Sequence, residues 1–262
     1  MLKKLPIISV LTPTYNRAKN FLPQTIESVA NQRETGFVHE HIIIDNASTD
    51  KTRQVVAALA KKDSRLKYIR SKKNVKAAGA LNIGFPKSKG QIIYPFDDDD
   101  LMTPRALQNG FEFFKTHPNI DWFYAFALHI DEENRLRFDK WPTKYYASSK
   151  NMFWSLMHGN FVHGGTIMLR RKAITKVGGW APVLASQEYT MWLKLSHAGI
   201  KHALLQQYQM AYRIHKKRES SVNGKNGLWA GVRQYQLKIF KTTEEEVKRK
   251  FKKLPPPILV DY

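Results

Sequence analysis

The sequence predicts an α/β protein: a doubly wound, mostly parallel sheet with a helical C-terminal extension. Three observations carry this. Short apolar runs alternate with stretches of helical periodicity from Ile7 to Phe114. Three of those runs end in polar clusters, at residues 12–17, 45–50 and 97–100. The stretch 229–253 reads as one or two basic helices and closes on Pro255-Pro256-Pro257. In open sheets of this kind ligands bind outside the carboxyl ends of the strands, so the three clusters are expected to share one crevice.

Residues 7–11 read as a buried strand ending at Thr12-Pro13-Thr14. Leu22, Ile26 and Val29 follow at helical spacing behind Asn20, a suitable N-cap. Residues 41–44 form a second strand, and Ser48 or Asp50 caps the helix carrying Val55, Val56 and Leu59. A third strand covers 66–69, a helix weakened by Gly79 covers 77–85, and a fourth strand covers 91–96. Thr103 as N-cap and Pro104 at the first helical position open a helix through Phe114. The second half is less regular. It reads as a strand over 122–130, a polar turn at 131–134, loop over 141–149, and a strand over 166–169 behind Gly164-Gly165. A turn at Gly178-Gly179-Trp180, a helix over 187–197 and a last strand over 210–215 follow. The expected division is a domain of residues 1–218, in halves 1–104 and 105–218, with an extension of residues 219–262.

The 262 residues, 42% of them hydrophobic, are enough for a sizeable core. The absence of cysteine excludes disulfides and thiolate–zinc sites. No apolar run approaches the ~20 residues that span a bilayer. The first residues lack the apolar core of a signal peptide, so a cytoplasmic origin is expected. The net charge of +21 fits attraction to nucleic acid, anionic lipid or phosphorylated substrates, and equally a lysine-rich surface. Lys and Arg gather at 61–62, 70–76, 216–218 and 248–253, with no signature of specific nucleic-acid binding.

Against that basic background stand Asp97, Asp98, Asp99 and Asp100. Carboxylates this close repel, and a cation or protonation relieves the repulsion. In an extended segment Asp97 and Asp99 point the same way and Asp98 the other. Hard oxygen ligands suit Mg2+ or Mn2+, with positions left for substrate phosphates. The competing reading is a solvated acidic turn that caps the next helix. Asp45 and Asn46 could bond a nucleobase or ribose, or serve as ordinary turn and capping residues.

Together the residues resemble a family. Ile8-Ser9-Val10-Leu11-Thr12-Pro13-Thr14-Tyr15-Asn16-Arg17, then Ile43-Ile44-Asp45-Asn46-Ala47-Ser48-Thr49-Asp50, then Phe96-Asp97-Asp98-Asp99-Asp100 with Pro104, is similar to glycosyltransferase family 2 in order and spacing. Asn82, Gly178-Gly179 and an acid ahead of Trp192 match as well. The resemblance, over roughly residues 6–215, implies the GT-A fold with a Rossmann-like nucleotide-binding half. It implies a nucleotide-diphospho-sugar donor, a divalent metal, and inversion at the anomeric carbon. Position by position, it puts Thr12, Pro13, Tyr15, Arg17, Lys76, Asn82, Asp97, Asp98 and Arg213 at the donor. Asp45 and Asn46 stand where the family has two base-contacting aspartates. Asp97 and Asp99 match the ends of the D-x-D motif, with Asp99 as direct metal ligand, His215 as a further metal-side residue, and Asp100 completing D-x-D-D.

Glu188 stands where the family places a catalytic Asp, and would deprotonate the acceptor hydroxyl. Its alternative is a helix N-terminal acid offsetting the macrodipole. Strand alternation puts Arg213 and His215 on one face. His163 is a second histidine read as lining the donor pocket or as structural, and Lys72 and Lys73 as nucleotide neighbours or solvated lysines. Residues 238–253 read as an amphipathic helix on an anionic leaflet or as a helix packed on the domain. The resulting expectation is an inverting, Mn2+- or Mg2+-dependent glycosyltransferase using a UDP-sugar and a hydroxyl on a glycan or lipid-linked acceptor, in surface polysaccharide synthesis. It would be cytoplasmic, with peripheral contact at the inner face of the plasma membrane. A nucleotidyltransferase and a non-enzymatic polyanion-binding protein are the competing classes.

Overall fold

The computed structural model describes residues 5–19, 21–138, 143–183, 187–216 and 228–260. The expected cap Asn20, residues 141 and 142 of the expected loop, and residues 217 and 218 of the basic cluster 216–218 lie outside the described residues.

The main sheet runs β3-β2-β1-β4-β9-β6-β10-β5, with β7 pairing β6. Its strands are β1 Ile7–Thr14, β2 Val38–Asp45, β3 Leu66–Arg70, β4 Ile92–Pro95, β5 Leu101–Met102, β6 Trp122–Ile130, β7 Leu136–Arg137, β9 Met168–Arg170 and β10 His202–Arg213. β1, β2, β3 and β4 are mutually parallel. β9 is antiparallel to both β4 and β6, which makes β6 and its parallel partner β10 run with β4. The carboxyl ends of β1, β2, β4, β6 and β10 therefore share one edge. This is the mostly parallel, doubly wound α/β sheet expected.

Central strands read as continuous apolar runs because both their faces are covered. Ile8, Val10 and Leu11 of β1, and Ile42, Ile43 and Ile44 of β2, are buried. Helices α1 Leu22–Ala30, α2 Thr52–Ala60, α3 Lys76–Gly84 and α4 Ala106–Thr116 follow strands in this half. Each large side chain withdrawn from water contributes about 1.5–3 kcal/mol, so the two clusters centred on Leu11–Trp122 and Ile8–Phe123 dominate the stability. The buried Glu40 on β2 is satisfied. Burial raises the Glu40 carboxyl, but hydrogen bonds from Lys67, the Lys89 N–H and Ser9 outweigh it and hold the group below its usual range.

Several elements differ from the sequence reading. Helix α4 starts two residues after Pro104, with Arg105 at the cap. Thr103 does not cap it. Its N–H donates to Gln209 O (3.1 Å) and its hydroxyl to Tyr208 O (2.8 Å), so it is committed to β10. Helix α2 has Lys51 at the cap, while the Asp50 carboxylate accepts from the Thr52 N–H (2.9 Å). The last strand begins eight residues earlier than expected, at His202, because register shifts around Tyr208 break its alternation. The expected loop over 141–149 contains β8, Thr143–Tyr145, which pairs with β11, Ile258–Val260.

Helix α5, Ser149–His158, was not anticipated. It buries Met152, Phe153, Leu156 and Met157 and packs against α7, Gln187–His197, which the short α6, Arg171–Lys176, precedes in the chain. The C-terminal stretch forms two helices, α8 Leu228–Ile239 and α9 Glu244–Phe251. Leu237 and Val247 belong to the main core, Phe240 meets Phe153, and Phe251 stacks on His158 at 3.7 Å. The apolar face proposed for a membrane is thus spent on the domain, in favour of the packed reading. No helix of the described residues is long and apolar enough to cross a membrane.

Candidate active site

The four aspartates follow β4 and fold into a turn. The turn, not strand alternation, groups them. Carboxylate oxygens of Asp97, Asp99 and Asp100 lie within 4.8 Å of one another. Asp100, expected as a supporting acid, joins the cluster. Asp98 leaves it, accepting from the Thr14 hydroxyl at 2.6 Å. Asp99 and Asp100 are almost wholly buried.

Buried like charges need fixed partners, and the turn has them. The Arg213 N–H donates to Asp100 Oδ1 (2.8 Å), and Arg213 Nε donates to the Asp99 carbonyl (2.8 Å). Thr25 Oγ1 donates to the Asp100 carbonyl (2.8 Å). His215 Nε2 lies 3.0 Å from Asp99 Oδ2. Arg17 approaches Asp98 (3.6 Å) and Asp99 (3.8 Å). Immediately after the turn, β5 pairs with β10 and pins the exit. Three clustered carboxylates, two of them buried, offer hard oxygen atoms of the kind Mg2+ or Mn2+ prefers, so the donor set fits such an ion.

Other expected residues have different roles. Arg213 was expected at the donor. It is fully buried, with Nη2 on Gln24 (3.1 Å), Nη1 on Asn134, and its guanidinium 4.3 Å over the Phe21 ring. It therefore braces the aspartate turn. His215 lies past the end of β10, beside Phe21 at 4.9 Å, so strand alternation does not place it with Arg213. The imidazole, expected as a further metal-side residue, thus stands against the Asp99 carboxylate of the cluster.

Thr12 is fully buried and its hydroxyl meets His41 at 2.9 Å, on the inside of the sheet. Burial, and secondarily His39, hold the His41 pKa at about 3, so the ring is neutral. Thr14, which sequence reasoning did not single out, is the threonine that reaches the aspartates. Pro13 is half-buried and Tyr15 is exposed on the same loop.

Asp45 and Asn46 close the second loop. Asp45 accepts from the Ser48 N–H (2.8 Å), from Arg70 (2.7 Å) and from Tyr68. Asn46 donates to Asn74 (3.0 Å) and accepts from the Val75 N–H (2.8 Å). Both side chains are buried and engaged within the protein. Asn16, at φ 55°, accepts from Thr49 N–H (2.8 Å) and ties the first loop to this one. Lys76 is exposed at the start of α3, and Lys72 and Lys73 are exposed too. Asn82 does not face a donor with an open amide. Its Oδ1 accepts from Trp180 N–H (2.9 Å) and its Nδ2 donates to Trp180 O (2.8 Å). Gly179, at φ 74°, fits only without a side chain, since a Cβ would fall 2.6 Å from Asn82 Oδ1.

Glu188 opens α7, half-buried, with Gln187 donating to its Oε1. Its side chain lies against the Gly164 backbone, where a Cβ would come within 3.1 Å of its Cγ. The next residue, Gly165, abuts Phe96, which directly precedes the aspartates. One glycine turn thus bridges the aspartate strand and Glu188. Trp192, stacked on Trp122 at 6.4 Å, anchors the helix in the core. His163, just before Gly164, meets His129 Nε2 at 3.4 Å and packs with Tyr212, a polar aromatic cluster that sequence reasoning caught only in His163.

The sequence model of glycosyl transferase family 2 matches residues 9–178. The chain belongs to glycosyl transferase family 2. It is a glycosyltransferase, and the family match covers the first loop and the aspartate turn and ends at Gly178. An uncharacterized glycosyltransferase of Methanocaldococcus jannaschii is 25% identical over 209 residues, 80% of this chain and 71% of that protein. A glucosyltransferase of Escherichia coli, WfaP, named for UDP-Glc and α-D-GlcNAc-diphosphoundecaprenol, is 25% identical over 212 residues, 80% of this chain and 78% of its own. Among solved structures, S. aureus TarS has a TM-score of 0.65 at 18% identity, over 80% of this chain. The match spans 37% of the TarS chain. TarS residues 1–349 have also been solved with UDP-GlcNAc, at a TM-score of 0.65 and 15% identity, over 82% of this chain and 60% of that one. The Pyrobaculum calidifontis mannosyltransferase PcManGT, solved with GDP-Man and Mn2+, has a TM-score of 0.62 at 16% identity over 82% of this chain and 59% of its own. These likenesses establish the family's GT-A fold.

Proposed function

We propose that the protein is an inverting, metal-dependent glycosyltransferase that moves a sugar from a UDP-sugar to a hydroxyl of a glycan or lipid-linked acceptor in surface polysaccharide synthesis. The observation that carries this is the cluster of Asp97, Asp99 and Asp100 within 4.8 Å, at the carboxyl edge of the sheet. Those three residues would hold Mn2+ or Mg2+, which when bound supplies charge neutralisation for a leaving diphosphate. His215 keeps Asp99 in orientation, and Arg213 keeps the turn in place. The loop of Pro13, Tyr15 and Arg17 borders the donor.

Glu188 is the proposed base. Ionised, it accepts the proton of the acceptor hydroxyl as the oxygen attacks the anomeric carbon opposite the leaving group, which inverts the centre. Its place against the Gly164 turn, one residue from the contact with Phe96, supports a position facing the donor. A UDP-sugar is supported by the TarS complex, and a lipid-linked acceptor by the name of WfaP. PcManGT is the reason to test GDP-mannose beside UDP-sugars. Residues 1–218 would form the catalytic domain. The remaining helices would support it, on the cytoplasmic side of the membrane.

The test is a thermal-shift screen of UDP-sugars and GDP-mannose with and without Mn2+, followed by product analysis. Stabilisation that requires both donor and metal, with release of nucleoside diphosphate, is expected. Pyrophosphate as product, or full turnover in excess chelator, overturns the mechanism.

A further inference from the structure

Arg17 stands at the tip of the first loop with its guanidinium between two of the aspartates. Its Nε is 3.6 Å from Asp98 Oδ1 and its Nη2 is 3.8 Å from Asp99 Oδ2. Both distances exceed hydrogen-bond range, so charge holds the group without a directional bond. A bidentate pair would be locked, and this one is not. The backbone beneath it is fixed: the Arg17 N–H donates to Thr52 Oγ1 (3.3 Å), and the neighbouring Asn16 N–H donates to Ser48 Oγ (2.9 Å). A movable cation therefore sits on a fixed root.

Its two partners differ. Asp98 is tethered to Thr14 and lies outside the three-carboxylate cluster, while Asp99 is a member of it. A divalent ion at the cluster and the guanidinium would compete for the Asp99 charge. Asp98 gives the guanidinium a perch that the ion does not claim.

We propose that Arg17 is an exchange cation. Without metal it shields Asp99. A divalent ion displaces it, and pivoting on Asp98 it turns its fork of N–H donors to the nucleoside diphosphate that accompanies the ion. This rests on the metal and donor reading above and adds an order to it. Metal alone binds against Arg17, and metal with diphosphate binds with its help. By linkage the two ligands then raise each other's affinity.

The experiment measures Mn2+ affinity by the paramagnetic resonance signal of free Mn2+, for the wild type, Arg17→Ala and Arg17→Lys. Each is measured alone and with saturating UDP or GDP. Arg17→Ala is expected to bind Mn2+ alone about fivefold more tightly, the upper range for a partly exposed ion pair. With nucleoside diphosphate it is expected to bind about tenfold more weakly than the wild type. Arg17→Lys keeps the charge and should match the wild type with metal alone, while losing the fork and falling between the two with diphosphate. Unchanged or weaker binding of Mn2+ alone by Arg17→Ala overturns the exchange, as does tighter binding under both conditions. Asp99→Asn, measured in parallel, separates the failures. If it keeps wild-type Mn2+ affinity, the metal site itself is wrong.

Discussion

The two acidic regions of the crevice are built differently. The aspartate turn is held from several sides: by Arg213 and His215 from β10 and its extension, by Thr14 and Arg17 from the first loop, and by Thr25 from α1. Glu188 has a neighbouring glutamine, a glycine backbone and the first turn of a helix whose far side is locked by Trp192. The aspartate turn is organised by polar bonds, whereas the Glu188 helix takes its position from hydrophobic packing behind it. Loss of a charge should therefore be decisive on the first side, and loss of a proton acceptor on the second.

The sharpest break in that comparison is Asp99→Asn. Turnover should fall by about three orders of magnitude or more in an assay of nucleoside diphosphate release, with Tm within a few degrees of the wild type. Next is Glu188→Gln, expected to lower transfer by about 10²–10⁴-fold while leaving the Mn2+-dependent thermal shift with donor intact. If both variants lose that shift equally, the two sides are not separable. Third, Arg213→Met should cost about 3–5 kcal/mol in urea unfolding, since the Asp100 and Asp99 neighbourhood loses a buried cation. Fourth, Asn82→Ala should cost about 0.5–1.5 kcal/mol, by removing the bonds from an exposed amide to the Trp180 N–H and carbonyl.

The last test concerns acid stability. Burial pushes the His41 pKa down to about 3 and the His202 pKa to about 4, both from 6.5. The unfolded chain binds these protons first, so stability is full above pH 6.5 and is lost as pH falls toward about 4 for His202 and about 3 for His41. The slope from this pair is at most about 2.7 kcal/mol per pH unit. Chemical denaturation between pH 7 and 5 measures it, and His41→Gln should flatten the curve.

The parallel half of the fold was legible because its apolar runs carry a clear signal. β1, β2, β3 and β4 were all placed, and β6 and α7 matched to the residue. The second half was legible only in part: β9 was anticipated as a strand over 166–169, while shorter or irregular elements were missed. β5 is two residues long, and β10 hides its alternation behind register shifts. Helix α5 has an aromatic-rich sequence whose period is weak by eye. In the site, the sequence located the aspartates and Glu188, but not how polar atoms are shared. Strand alternation predicted Asp97 with Asp99 and missed Asp100, because the segment turns. Thr12, Asp45, Asn46, Asn82 and Arg213 are at the crevice loops or beside them, yet their polar atoms are taken by His41, Arg70, Val75, Trp180 and the aspartate turn. Partners 29 to 114 residues apart for residues such as Asn46 and Arg213 leave no local pattern to read.

One of those long bonds bears on synthesis. Arg213 joins Asp99 in the chain's middle and Gln24 near its start, the latter 189 positions away. Its strand, β10, also holds β5 at the exit of the aspartate turn. A nascent chain emerging at about 5–20 residues per second could pair β1, β2, β3 and β4 many seconds before that strand leaves the ribosome. During that interval four neighbouring carboxylates would be on the nascent surface without their bracing arginine. Late arrival of one residue thus sets when the polypeptide becomes an enzyme.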